Sequence, residues 1–566
     1  MSGDAQAHAP VDNDGPASAE LSDRGLYRGR RPWLGKHVGR FDLEHRTLLN
    51  VLAAQAEERP DQPWLIFDST ESMSFAEGFR RTAAVAAALA DSGAAGGQVA
   101  LLLANQVEYL PALLGAGAAG GRAVPLNADA RGPLLQYAIE KSESKAIVVR
   151  DDLLERLAEL DGIGEVRLIV ACGAGEGRAE QIHGVPVVDW GQWLSGRADT
   201  PAGKMPSGFE ECLIAFTSGT TGRSKGVVYP HQYLYLYSGL VTDSLEHTCE
   251  DVLTTALPLC HMAGLSIVAC SALHAGARAH MKSRFSVQRF WPDAAADGAT
   301  FAIIFGPMAA MLLKTVPEAP PHRLQNIFCL PYPPDGQEFE RRYRVRLLWQ
   351  GYGMTEIYPH PMPRRMEEGV PYDTVGHAMS FIEYGAVDEN DLLLPPGEVG
   401  ELVYRSRLPH GMARGYYKEP EATANAFRNF MFHTGDLGCV DEEGRVHYRG
   451  RRQDRIRRRG ENISADELEF VALSHPDVLE AAAFAVPDEL GEHEVKLDVV
   501  LRDDALTLAQ LHGWLLEHLP RYMVPRYLQR REQMPKTPTQ KIEKFKLAAE
   551  GCEGPGVERF ELPRRG

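Results

Sequence analysis

From Thr47 onward the chain alternates between two hydrophobic periods. Residues 47–67, TLLNVLAAQAEERPDQPWLIF, place apolar positions at helical spacing and then run into a short apolar strand. Phe75 to Ser92 is an Ala-rich amphipathic helix, Gln98 to Leu103 a buried strand, and Glu108 to Gly121 another helix. Ala123 to Leu126, a helix ending near Ser142, and the strand Ala146 to Val149 continue the series. Strands that alternate with helices predict an α/β fold with a largely parallel sheet and helices on both faces. Gly173 to Gly208 is rich in Gly, Pro and Ser and is expected to be partly irregular. There are no internal repeats. Near the end the pattern changes: a helix over Glu467 to Ser474, strands over Ala481 to Val486 and Lys496 to Leu501, and a helix over Leu506 to Leu519 predict a separate compact α+β unit.

Length agrees with that division, because 566 residues exceed one ordinary domain. A formal charge of −17 gives no bulk attraction for nucleic-acid phosphate, so a nucleic-acid partner is not expected. No apolar run reaches the length that spans a bilayer. Met1 to about Asp23 is Ala-, Asp-, Ser-, Gly- and Pro-rich; it lacks the basic start and apolar centre of a secretory signal and reads as a disordered leader, taken as residues 1–24. The eight cysteines are scattered without a C-x-x-C pair, which argues against a disulfide framework or zinc site and fits a reducing cytoplasm.

The densest chemistry lies in Thr217-Ser218-Gly219-Thr220-Thr221-Gly222-Arg223-Ser224-Lys225-Gly226. A short strand, Glu211 to Phe216, leads in, and a Tyr- and Leu-rich helical pattern follows from about His231, so the stretch is expected to be a loop between strand and helix. Glycines bring backbone N–H groups close to an anion, hydroxyls add donors, and Lys225 adds a compact positive charge. That combination suits a polyphosphate, although the order is not the Walker one. By composition alone a flexible Ser/Thr/Gly connector is also open. Further on, Gly351-Tyr352-Gly353-Met354-Thr355-Glu356 follows the apolar strand Val345 to Trp349. An aromatic ring, a hydroxyl and a carboxylate in one Gly-rich segment suit a nucleotide: Tyr352 for stacking, Thr355 for phosphate and Glu356 for a hard cation such as Mg²⁺. A Gly-rich turn with a surface glutamate is the plainer alternative. Leu257 to Gly264 contains His261, which by itself reads as a core or loop histidine as readily as a working one.

In this order these segments resemble the motifs of the acyl-adenylate-forming superfamily, which includes acyl- and aryl-CoA synthetases, adenylation domains and luciferases. The resemblance covers about residues 45 to 550, with an ending similar to that of carnitine and crotonobetaine CoA ligases. It implies a large N-terminal domain of mixed or parallel sheets flanked by helices (25–450), a hinge (451–454) and a small mobile α+β C-terminal lid (455–566). It implies that Thr217, Ser218, Gly219, Thr220, Thr221, Gly222 and Lys225 hold ATP phosphates, and that Gly351, Tyr352 and Gly353 also bind the nucleotide. Asp436, in His433-Thr434-Gly435-Asp436, and Arg451 would take the ribose, and the Gly460 loop would border the CoA channel. Lys541, near the end of Met534-Pro-Lys-Thr-Pro-Thr-Gln-Lys541, aligns with the catalytic lysine. Two positions depart from the family pattern: Gln453 stands where the hinge usually has Asp or Lys, and Gln540 where Gly usually precedes the lysine.

The implied reaction is ATP-dependent activation of a small carboxylic acid, or another small oxyanion, followed by transfer to CoA. Lys541, Thr355, Glu356 and His261 would serve the chemistry, with Glu356 holding Mg²⁺. The acid pocket is expected to include Tyr233, Tyr237, His261, Phe305, Gly306, Met308, Leu330, Tyr332 and Ile357, although Tyr233 and Tyr237, four apart on one helix face, are equally a core stripe. Bulk in Cys329 to Pro334 suggests a small or flat acid. Other acceptors (an amine or a carrier protein), nitrite activation, and nucleotide binding without catalysis remain open at this stage. The oligomeric state is also open, a homodimer among the options.

Overall fold

The computed structural model describes residues 25–560 except 33, 174, 176–177, 198–204, 218–223, 367–368, 452–454, 459–460, 488–492, 520–522, 538–539 and 553. It bears out the α/β class: a large N-terminal region built on three sheets and a small C-terminal one on its own sheet. One sheet orders its strands Gly226–Pro230, Glu211–Phe216, Arg122–Pro125, Gln98–Leu102, Ser144–Arg150, Leu168–Cys172, Val185–Asp189 and Gln181–Ile182. Its interior pairs are parallel and the hairpins at its two edges antiparallel. A second sheet runs from Arg346–Leu348 through Asn326–Leu330, Phe301–Phe305, Val252–Thr255, Arg278–Met281 and Pro63–Phe67 to Glu71–Ser74, parallel except for the last pair. The strand interiors are continuous apolar runs because helices cover both faces. Phe75–Asp91 and Tyr109–Ala118 are two of these helices, close to the bounds their periodicity predicts.

Two features depart from the pattern-based reading. Gly173 to Gly208 is less irregular than expected, since it carries the short strands Gln181–Ile182 and Val185–Asp189 and the helix Trp190–Leu194. The third sheet is wholly antiparallel: Tyr27–Arg28, Ile382–Val387, Gly400–Ser406, Phe432–Val440, Val446–Arg451 and Thr374–Gly376. Its strands carry buried tyrosines, Tyr384 and Tyr404, packed ring against ring at 6.2 Å.

The C-terminal sheet holds Val478–Pro487, His493–Leu501, Tyr527–Arg531 and Val557–Arg559, covered by the helices Ala465–Leu473 and Leu508–His518. The ribbon Arg455–Arg458/Glu461–Ser464 is tied to this unit: Arg458 donates to Val524 O at 2.9 Å and pairs with Glu494 at 2.7 Å, both side chains almost fully buried. The large region meets it where the Lys314 ammonium donates to Val478 O. No helix among the described residues is long and apolar enough to cross a membrane.

Burial fixes the charge state of several histidines. His231 is held down to about 4, and His274 and His360 to about 3, because the interior penalises the imidazolium. The unfolded chain, with histidines near 6.5, binds more protons than the folded one below that pH, so stability falls as pH drops through 6.5. Chemical denaturation at pH 5 and pH 7 is expected to differ by about 2 kcal/mol for each such histidine, lower at pH 5. Equal stability at the two pH values would contradict this.

Candidate active site

The phosphate-binding candidate is not a strand–loop–helix element as the pattern suggests. It is the tip of a hairpin: Glu211–Phe216 pairs with Gly226–Pro230 through Phe216 opposite Gly226, and the helix begins only afterwards, at His231–Ser244. Val227, Val228 and Tyr229 prefer a pleated strand, but a run of five between the Gly-rich stretch and the helix expected from about His231 is too short to show a period of its own. The loop is closed at its base by Thr217 N donating to Lys225 O at 2.9 Å and by Ser224 Oγ donating to Thr217 O. Gly226 is needed there, since a Cβ would stand 2.7 Å from Ile214 Cγ2. Ser218, Gly219, Thr220, Thr221 and Gly222 lie outside the described residues, as does Gly460.

Lys225 reaches across to a residue the sequence reading missed. Its ammonium lies 4.9 Å from the centre of the Tyr416 ring, and the Tyr416 hydroxyl donates to Glu356 Oε1 at 2.9 Å. Glu356 is only 5% exposed, and burial raises its pKa against that hydrogen bond. Next to it, Thr355 O accepts from the Tyr229 hydroxyl and, at 3.4 Å, from that of Tyr233. Gly351, Tyr352 and Gly353 form an extended crossing in which Tyr352 exchanges backbone hydrogen bonds with His360 at 2.9 and 3.2 Å. Tyr229 and Tyr416 escape sequence reading because each acts on a residue far along the chain. The signal was the Gly-Tyr of Arg414-Gly415-Tyr416, which carries no motif chemistry alone.

Asp436 is the second focus. It is buried, accepts from the Tyr352 hydroxyl at 2.6 Å, and faces Arg451 Nε at 3.4 Å across paired strands. Burial raises its pKa and Arg451 opposes the rise. Gly435, at φ 73°, makes the turn, and Glu401 Oε1 accepts its N–H at 3.0 Å. Asp436 Oδ1 is the atom that faces Arg451, and among the described residues it accepts no hydrogen bond, so this carboxylate still has an acceptor for a vicinal diol such as a ribose.

Lys541 brings the small domain to the same place. Lys541 keeps exposed surface, yet the protein around it partly desolvates the ammonium and lowers its pKa, Arg451 adding to the fall and Asp436 opposing it. The same ammonium helps hold His261 down to about 4, although burial of the imidazole is the larger cause. His261 precedes Ala263–Cys270, a helix wound more widely than an α-helix. Lys541 sits in a narrow loop: Thr537 N donates to Lys541 O at 2.8 Å, and Lys541 N to Thr537 Oγ1 at 3.1 Å. Gln540, where the family usually has glycine, is in the left-handed region at φ 63°.

Beyond Thr355, Tyr229, Tyr233 and Tyr237 form an aromatic column with ring centres 4.6 and 6.0 Å apart, and Tyr358 lies flat on Tyr237 at 4.2 Å. Gly353 lacks the Cβ that would stand 2.2 Å from Tyr358 Cδ2. Phe305 ends a strand with its N–H on Met308 Sδ at 3.4 Å, and Met308 lines a small cavity with Thr255, Lys282 and Ile303. Gly306 is pressed on Pro331 O, beside Leu330, with 2.6 Å for a would-be Cβ. Tyr332 stacks on Tyr372 at 4.3 Å and turns its hydroxyl to Glu340. Ile357 is wholly buried in the apolar cluster that includes Tyr352 and Leu236.

Residues 52–417 match the AMP-binding enzyme family and 467–541 the AMP-binding enzyme C-terminal domain, and the chain belongs to that family. A sulfoacetate–CoA ligase from Cupriavidus necator is 29% identical over 88% of this chain and 97% of its own. A crotonobetaine/carnitine–CoA ligase from Salmonella agona is 28% identical over 86% and 96%. Among solved structures, ATP-bound MatB from Rhodopseudomonas palustris superposes with a TM-score of 0.75 at 26% identity, covering 89% of this chain and 98% of that one. An anthranilate CoA ligase in complex with anthranoyl-AMP shares the fold with a TM-score of 0.81 at 21% identity, covering 91% and 98%.

The Gln540 conformation yields a test. A left-handed residue other than glycine costs about 1–2 kcal/mol, most for a β-branched side chain. Gln540→Gly is therefore expected to leave turnover equal or higher, and Gln540→Val to lower it about tenfold through misplacement of Lys541. Steady-state rates of the three proteins, with melting curves as control, decide it. A Val variant as active as the parent would show that the loop does not set the lysine.

Proposed function

We propose that this protein is an acid–CoA ligase: it activates a small carboxylic acid as its adenylate, releases pyrophosphate, and passes the acyl group to CoA, releasing AMP. The observation that carries this reading is that Lys541 lies within electrostatic reach of Asp436, Arg451 and His261, and Glu356 within reach of Arg451 and Lys225. Two anions, the carboxylate and the α-phosphate, must meet there, so catalysis needs positive charge fixed in place before the reaction. Lys541 supplies it at the reacting centre, and Lys225 with the hydroxyl-rich loop does so at the β- and γ-phosphates. Asp436 and Arg451 hold the ribose, and Tyr352 lies under the base. Glu356, with Thr355 beside it, is the group that would hold Mg²⁺, whose bound charge neutralises phosphate oxygens. His261, neutral at working pH, borders the acid rather than taking a proton.

The column of Tyr229, Tyr233, Tyr237 and Tyr358 supports a short or flat acid over a long alkyl chain. Relatives named for sulfoacetate and for crotonobetaine and carnitine direct attention to small polar acids. For the second half-reaction we take residues 25–450 and 455–566 as bodies that reorient about 451–454, which withdraws Lys541 and admits the thiol. CoA thiol, with its pKa near 8.5, is a strong nucleophile once ionised, so no dedicated base is required. A cytoplasmic location, where ATP and CoA are present, fits this chemistry.

AMP release from ATP and Mg²⁺ across small aliphatic, sulfonated, zwitterionic and aryl acids, with and without CoA and read by mass spectrometry, tests the reading. A CoA-dependent acyl-CoA product is expected. Lys541→Ala is expected to slow adenylation on the order of 10²–10³-fold while still binding ATP. AMP release indifferent to CoA, or seen only with nitrite and an amine, would overturn the CoA step.

A further inference from the structure

Tyr416 touches both charged groups on the phosphate side of the site. Its ring lies beneath the Lys225 ammonium, 4.9 Å from the ring centre, and its hydroxyl donates to Glu356 Oε1 at 2.9 Å. The surrounding backbone fixes it in that position. Residues 414–417 run alongside the strand that leaves the phosphate loop: Arg414 N donates to Val228 O at 2.9 Å, Val228 N to Gly415 O at 3.0 Å, and Tyr417 N to Gly226 O at 2.7 Å. Tyr416 N is held by Thr423 Oγ1 at 3.0 Å. Gly415, at φ 127°, brings the chain so close to Thr423 that a Cβ would stand 2.5 Å from its Cγ2.

An ammonium and a buried carboxylate in one cleft attract each other strongly, because the local dielectric is low. Brought into direct contact they would form an ion pair, and neither charge would then be free for a ligand without breaking that pair. A tyrosine between them satisfies both without neutralising either: its π-face meets the cation and its O–H meets the anion. Building on the ligase reading, we infer that Tyr416 is a positioning residue that keeps Lys225 for phosphate and Glu356 for the divalent cation of the metal–nucleotide complex.

The two ends of the side chain can be tested separately by calorimetric binding of ATP, without turnover, in Mg²⁺ and in EDTA. Tyr416→Phe keeps the ring and removes only the hydroxyl. It is expected to weaken Mg²⁺–ATP roughly tenfold, the scale of one hydrogen bond to a charged group, and to leave ATP in EDTA within about twofold. Tyr416→Ala is expected to weaken both. In a Glu356→Gln background, Tyr416→Phe should add no further loss, because its effect runs through that carboxylate. Melting curves confirm that the variants fold, and Tyr416→Phe carries the test if the alanine variant does not. Unchanged Mg²⁺–ATP affinity in Tyr416→Phe, an equal loss with and without Mg²⁺, or the full loss persisting in Glu356→Gln would overturn the proposal. A parent protein that binds no ATP would remove the ligase reading itself, a separate and recognisable outcome.

Discussion

Burial of Asp436 is the constraint on which the site depends. A carboxylate removed from water must be compensated, and here the compensation comes from two distant segments: the hydroxyl of Tyr352 and the guanidinium of Arg451. Neither is adjacent to Asp436 in sequence, so satisfying this one charge fixes the Gly-rich crossing, the antiparallel sheet and the last strand before the small domain with respect to one another. Glu401, also buried, extends the same logic by gathering Arg428, His433 and the Gly435 N–H around the turn that presents Asp436. The positive charge of Lys541 then enters a cleft whose negative counterpart is already set.

Glu356 obeys the same rule with a different solution. Its hydrogen-bond partner is the neutral hydroxyl of Tyr416, which offsets part of the rise that burial imposes on its pKa. Fixed dipoles and held charges of this kind cost no reorganisation when a ligand arrives, which is the property an adenylating site needs. The tyrosines Tyr229 and Tyr233 do the corresponding work on the backbone of Thr355.

Much of this was legible in the chain. Contiguous motifs carry their chemistry in their spelling, so Lys225 and Glu356 could be named from the residue types of their segments, while Asp436, Arg451 and Lys541 could be named only through the resemblance to a family; in the structure electrostatic contacts link the five. The alternating elements of the first 150 residues could be read because their hydrophobic periods are long and unbroken. The strand Gly226–Pro230 was left unassigned between the Gly-rich stretch and the helix for the opposite reason, being short and adjoining a stronger signal. The antiparallel third sheet was not anticipated, since half-polar strands such as Phe432–Val440 look like turns when read singly. Tyr416 was invisible because its role exists only when residues 225, 356 and 416 meet. The left-handed Gln540 could be flagged as a departure from a family pattern, but its backbone angle could not.

The contact between Gly353 and Tyr358 has an evolutionary consequence. With 2.2 Å between a would-be Cβ and the ring, position 353 cannot gain a side chain while Tyr358 stays in place, whereas 358 can change first. Tyr358 in turn is stacked on Tyr237, so that earlier step would already alter the wall of the aromatic column. Substitutions at this pair are therefore accepted most readily in a set order, the change at 358 before the change at 353.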